Sequence, residues 1–210
     1  VFVELIELLR CPRDHAETAL IASATRSVDR HIVDGVLGCP TCHAQFPIQD
    51  GIARFGTRVP EPVAEAPSTE VAMRLAALLE LVDARGFALL FGRWGAHVGA
   101  LGRISDTPVI MVNPTAPVMG DVAATILVDD RVPLAAGSAR AAALDAPISG
   151  ALADSAIRAV RDGGRVLAPV AVPLPAAVRE LARDGRSWVA QKNAAPGAAP
   201  RLTTLRRSKR

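Results

Sequence analysis

This chain of 210 residues is poor in aromatic side chains, at 3%, and has no tyrosine. With so few rings, Trp94 and Trp188 read as packing residues and not as stacking platforms. Only three cysteines are present, too few for the disulfide framework of a small secreted domain. No stretch approaches the ~18 uninterrupted apolar residues of a membrane-spanning helix. The opening VFVELIELLRCPRDH has no basic leader and meets Arg10 and Cys11 too early for a signal peptide, so a cytoplasmic location is expected. Charge of one sign is scarce as well. The net charge is +3, and much of it lies in the closing RLTTLRRSKR, which reads as a solvated terminus and does not by itself imply a nucleic-acid surface. Apolar residues, by contrast, make up 50% of the chain, enough core for one large domain or two small ones.

The cysteines and three of the four histidines fall within residues 1–56. Cys39-Pro40-Thr41-Cys42 is a C-x-x-C knuckle, and Cys11 opens a second turn, CPRDH. A tetrahedral zinc site takes four Cys or His ligands, often as two pairs on tight turns. Asp14 stands where the second turn would carry its cysteine, and His15, one residue on, completes a Cys3His set with Cys11, Cys39 and Cys42. His31 and His43 compete for the same place. The alternatives are a metal-free apolar cluster or a redox pair, although a redox C-x-x-C normally opens a helix and Phe46-Pro47-Ile48 follows here. A segment of ~55 residues has little core of its own, and a metal would add needed stability.

Residues 57–69 then read as a linker rich in Pro, Ala and Glu. Ser68 or Thr69 is placed to cap a helix carrying Val71, Leu75, Leu78, Leu79 and Val82. Beyond Gly86, short apolar runs alternate with helical segments. The runs are 87–91, 108–113, 124–129, 139–145, 164–170, 187–192 and 201–207. Helices are expected near 95–103, 150–162 and 174–184, the second stopped by Gly163-Gly164. Continuous apolar strands separated by helices point to a buried, mostly parallel, Rossmann-like α/β sheet with helices on both faces. The last two strands, joined by a short link without a helix, are expected to pair antiparallel at one edge.

LIELLRCPRDH followed by GVLGCPTCHAQFPIQDGIARF resembles the zinc-ribbon-like methyltransferase activators of the Trm-one-twelve type. The resemblance covers residues 3–56 and rests on Leu-Leu-x-Cys-Pro, Cys-Pro-x-Cys and Phe-Pro-Ile-x-Asp-Gly-Ile. It implies ligand positions at Cys11, Cys39 and Cys42, architectural roles for Pro47 and Gly51, and a module that activates and solubilises methyltransferases by covering apolar surface. Residues 70–207 resemble a class I S-adenosylmethionine-dependent methyltransferase domain. AIRAVRDGGRVLAPV looks like the approach to its fifth strand and VPLAAGSARAAALD like its fourth.

Such a fold needs a glycine-rich turn after its first strand and an acidic residue ending its second. The turn here is FGRWGAHVG, with Gly92, Gly95 and Gly99 interrupted by Arg93 and Trp94. The second strand ends at Asn113-Pro114, and Asp129-Asp130 end the third. Gly92, Gly95, Asn113 and Asp129 are therefore the cofactor-binding candidates of a degenerate site. Asp129 has the alternative of simply starting a turn, as has Asp145, and His97 has no evident partner. No catalytic constellation is present. The leading expectation is a non-catalytic scaffold or regulatory protein, its module docked on its own second region or on an outside protein by a strand edge. The rivals are an active methyltransferase with an atypical cofactor loop and a nucleic-acid-binding scaffold using the basic tail.

Overall fold

The structure is a computed structural model that describes residues 1–57, 66–82, 86–115 and 123–194. Its first strands are β1 (Ile21–Val28), β2 (His31–Gly38), β3 (Gln45–Gln49) and β4 (Ile52–Arg54), an antiparallel meander. Asp50 and Gly51, with φ of 50° and 75°, make the two-residue turn between β3 and β4. A turn of that hand matches strand twist and favours Asp-Gly. Short helix α1 (Val3–Ile6) precedes the meander.

The second part opens with α2 (Thr69–Leu79), whose N-cap Ser68 accepts a bond from the Val71 amide. Five strands then run parallel: β5 (Ala88–Phe91), β6 (Val109–Val112), β7 (Ala123–Leu127), β8 (Ala139–Ala143) and β9 (Val160–Pro169). A 3-10 turn (Gly92–His97) and α3 (Val98–Leu101) follow β5, and α4 (Gly150–Ala159) follows β8. The hairpin β10 (Val178–Arg183) and β11 (Ser187–Lys192) closes the described chain.

All of these strands form one sheet, ordered β1-β2-β3-β4-β7-β6-β5-β8-β9-β11-β10. The two parts meet where β4 pairs parallel with β7, Ile52 opposite Thr125, Ala53 opposite Ile126 and Arg54 opposite Leu127. Strand alternation sends the side chains of β5 and β6 to opposite faces. Leu89, Phe91, Ile110 and Val112 join one apolar cluster with Leu152 and Ile157 of α4 and with Leu5, Leu9 and Leu37 of the first part. Ala88, Leu90, Val109 and Met111 join the other with Leu75 and Leu79 of α2 and Leu101 of α3. Helices therefore cover both faces, as the alternating pattern led us to expect. No helix among the described residues is long and apolar enough to cross a membrane.

Three expectations are corrected. Residues 174–184 are not helical, since Val178–Arg183 form β10. The Asp-Gly that reads as a helix stop is a hairpin turn, where the Asp184 carboxylate accepts from the amides of Arg186 and Ser187. These bonds hold its pKa down to about 2. As a strand the segment pairs with β11, from Val178 opposite Lys192 to Arg183 opposite Trp188, and buries Val178. The second correction concerns pairing. β11 is flanked by β9 and β10, antiparallel to both, so among the described residues it lies inside the sheet and β10 stands at the edge; residues 201–207 lie outside the described residues. Third, α4 ends at Ala159 and Gly163-Gly164 lie inside β9. The strand begins early because Val160 pairs with Ala139 before a register shift.

Leu9 is fully buried in the cluster that spans both parts. Leu9→Ala is expected to cost about 2–5 kcal/mol. Both tryptophans lie beyond residue 90, so urea unfolding followed by their fluorescence checks whether the loss reaches the second part. A tryptophan transition that stays put would mean that the parts unfold independently.

Candidate functional site

Two places gather the residues singled out in the sequence. The first is a cluster of Cys11, His15, Cys39 and Cys42, whose ligand atoms all lie within 4.8 Å of one another. Cys11 Sγ is 3.7 Å from Cys42 Sγ and Cys39 Sγ is 3.5 Å from His15 Nε2. A disulfide needs about 2.05 Å, so these sulfurs are not bonded. Tetrahedral zinc, with Zn–S near 2.3 Å, sets its ligand atoms roughly 3.5–3.8 Å apart, so the donor set and these two separations fit that ion.

The backbone explains how the ligands converge. Cys39 N–H bonds to the Ala44 carbonyl and His43 N–H to the Cys39 carbonyl, closing the knuckle with His43 at φ 58°. His43 is thus a turn residue, and His31 starts β2 with its ring against Phe2; neither joins the cluster. The second turn is closed by Cys11 N–H to the Thr18 carbonyl. His15 Nδ1 lies 2.7 Å from the Ala16 carbonyl. A carbonyl only accepts, so this bond needs the proton on Nδ1, and in that neutral tautomer the lone pair of Nε2 faces the cysteines, the arrangement that orients metal-binding imidazoles. Asp14 turns away and pairs with Arg131 at 3.1 Å. The two buried thiols differ in acidity. Burial pushes Cys11 up to about 11. Burial acts the same way on Cys39, but the amides of Cys42 and Thr41 and the neighbouring thiols outweigh it and bring Cys39 down to about 6.

The second place is the crevice at the carboxyl ends of β5 and β8, where the strand order reverses. In open α/β sheets this is where ligands bind. Here Gly92 has φ 53°, and a Cβ on it would overlap the Asp145 carboxylate. Asp145 accepts from the Arg93 amide at 2.9 Å and pairs with Arg93 Nε at 3.2 Å. The Arg93 guanidinium lies over the Trp94 ring, and the indole N–H donates to the Leu144 carbonyl at 2.9 Å. Gly95 is packed against Pro114.

Asn113, in the left-handed region at φ 48°, spends its amide on one residue: Oδ1 accepts from Val128 N–H at 2.8 Å and Nδ2 donates to the Val128 carbonyl at 3.0 Å. The Asp129 oxygens each lie 3.1 Å from the Thr57 amide. His97 is buried and accepts from the Ser68 amide, tying down the cap of α2. The partners Arg131, Asp145 (as an acceptor for Arg93) and Val128 had no signal in the sequence, because each comes from a distant part of the chain. The basic tail 201–210 lies outside the described residues.

The strand run β7-β6-β5-β8-β9-β11-β10, with β11 the antiparallel member inside it, defines a Rossmann-like sheet. Residues 3–51 match the family of Trm112p-like proteins. No curated protein matches the chain. Among solved structures, a protein of Corynebacterium glutamicum is 14% identical, covering 62% of this chain and 84% of its own with a TM-score of 0.44. A tRNA methyltransferase of Aquifex aeolicus is 12% identical over 65% and 73%, at 0.43. An S-adenosylmethionine-dependent O-methyltransferase of Thermotoga maritima is 11% identical over 76% and 78%, at 0.41.

Val128 is fully buried, so Asn113→Ala would strand both its backbone groups. Each buried unsatisfied group costs about 1–3 kcal/mol, and a drop of at least that size is expected in chemical denaturation. A change within about 0.5 kcal/mol, the scale of ordinary surface substitutions, would show that the clamp is idle.

Proposed function

We propose that this chain is a non-catalytic scaffold or regulatory protein: an activator-like, zinc-loaded module docked in cis on a methyltransferase-type body whose S-adenosylmethionine site is degenerate. The module is residues 1–56, the link 57–69 and the body 70–207. One observation carries the reading. Every side chain or turn offered for a nucleoside already has an intramolecular partner. Arg93 and Trp94 bridge the β5–β8 crevice to Asp145 and Leu144, Asn113 holds Val128, and Asp129 takes the Thr57 amide. A ribose would have to displace these contacts, and Asn113 would bring no charge to hold it.

Docking in cis is supported by the parallel β4–β7 pair and by the shared apolar cluster. Activator modules of this type cover apolar surface on methyltransferases. In this chain the module's β4 lies along the edge of β7, so the surface it would offer to an outside enzyme is turned inward. Cys11, His15, Cys39 and Cys42 would hold zinc, which supplies folding energy to a segment with a small core.

Isothermal titration with S-adenosylmethionine tests the degenerate site. No binding is expected up to millimolar ligand, and one-to-one micromolar binding would overturn the reading. The zinc site is tested through protons. At neutral pH the Cys11 thiol keeps its proton and the Cys39 thiol has largely lost its own, so zinc must displace at least one proton. Apparent affinity is expected to rise at least about tenfold per pH unit between pH 6 and 8. Below pH 6, where Cys39 also protonates, the dependence steepens. A competition titration with a chromophoric chelator measures this slope, and a flat one excludes thiolate ligation.

A further inference from the structure

The turn that carries Cys11 and His15 also forms the contact between the two parts of the chain at the carboxyl end of β7. Leu9 bridges to Leu134. Arg10 N–H donates to the Pro133 carbonyl and Ala135 N–H to the Leu8 carbonyl, both at 2.9 Å. Arg131 reaches back to the Pro12 carbonyl and to Asp14, each at 3.1 Å. Arg158 of α4 pairs with Glu17 at 2.9 Å and bonds the Leu134 carbonyl at 2.7 Å. The contacted loop is tied onward, since the Val132 amide donates to the buried Ser155 hydroxyl of α4 at 2.9 Å. Upstream it joins Val128, the residue that Asn113 holds.

We propose that the metal centre is a latch between the two parts: the bound ion orders residues 11–18, and through them holds loop 131–135 and the carboxyl-terminal half of α4 in place. This rests on reading Cys11, His15, Cys39 and Cys42 as a zinc site. The side-chain grips are too weak to do this alone. Asp14 is 94% exposed and Glu17 48%, and exposed ion pairs contribute little. Between Cys11 and Thr18 the only internal backbone bonds are Cys11 to Thr18 and His15 to Arg13. Exposed side-chain bonds add His15 Nδ1 and Thr18 Oγ1 to the Ala16 carbonyl and Thr18 to Thr41, so the ligands would be the loop's buried anchor. Arg10, next to Cys11, bridges to Ala19 and makes the Pro133 bond, so the ion would act on that contact through the base of the turn. Asp14, at the position where a fourth cysteine is expected, contributes to the grip of Arg131 and not to the ligand set.

The test uses the full chain. Elemental analysis of the untreated protein comes first; absence of zinc overturns the metal reading and the latch with it. Hydrogen exchange is then compared before and after stripping with a chelator. Amides of 131–135 are expected to exchange about tenfold faster or more, while those of 187–192 change less than about twofold, with reversal when zinc is restored. Faster exchange confined to 11–18 and 39–44 would overturn the latch but leave the zinc site standing. Equal acceleration in 187–192 would overturn it too, since the ion would then hold the entire fold. Binding linkage is reciprocal, so the Arg131→Ala, Arg158→Ala double variant should hold zinc at least about fivefold more weakly than the parent in equilibrium competition with a chromophoric chelator. Unchanged affinity overturns the latch.

Discussion

The parallel pairing of β4 with β7 is the constraint on which the other features depend. A central parallel strand buried on both faces leaves a row of unpaired amides and carbonyls if its edge is open. β4 supplies three residues of pairing there, and the Phe55 amide adds a bond to the Leu127 carbonyl at 2.7 Å. Once β4 is placed, β3, β2 and β1 follow by hairpins. Leu5, Leu9 and Leu37 then fall into the same apolar cluster as Leu89 and Ile110, and the Cys11 turn comes to rest on the loop that leaves β7. The two parts therefore share a sheet, a core and a polar contact.

At the reversal point of the strand order, a bound nucleoside would compete with bonds that are already made. The Asp145 side chain is only 15% exposed and serves both the Arg93 amide and its guanidinium. The Ala146 amide donates to it as well, at 2.9 Å, and a partly buried carboxylate with three donors is costly to free, because each donor lost leaves its charge less compensated. Asn113 acts as a piece of backbone, satisfying the two groups of Val128 just where β7 ends. These are the bonds of a closed structure, and they underlie the proposed role in contact and not in transfer chemistry.

Much of this was legible in the chain. The short apolar runs at β5, β6, β7, β8, β9 and β11 stand out because strands buried on both faces need no polar alternation. The Cys-Pro-Thr-Cys knuckle and His15 were legible because metal ligation constrains both residue type and spacing. Arg93 and Trp94 were visible as bulky side chains between Gly92 and Gly95 in the turn after β5. β10 was misread because Asp184-Gly185 closes a hairpin as readily as it stops a helix, and local sequence does not say whether a partner strand waits beside it. The grip of Arg131 on Pro12 and Asp14 spans more than a hundred residues and left no local pattern at all.

The sequence by itself determined which segments are strands buried on both faces, where the cysteines of the knuckle lie and which turn carries bulky side chains, since these follow from hydrophobic burial, donor chemistry and side-chain volume read along a few neighbouring residues. Only the tertiary structure decided that β4 joins β7, that Asp14 turns to Arg131, and that Asn113 and Asp129 are taken up by Val128 and Thr57. Those outcomes depend on which distant donor meets which acceptor once the sheet is assembled, and a hydrogen bond takes the partner that is near in space whatever its distance along the chain.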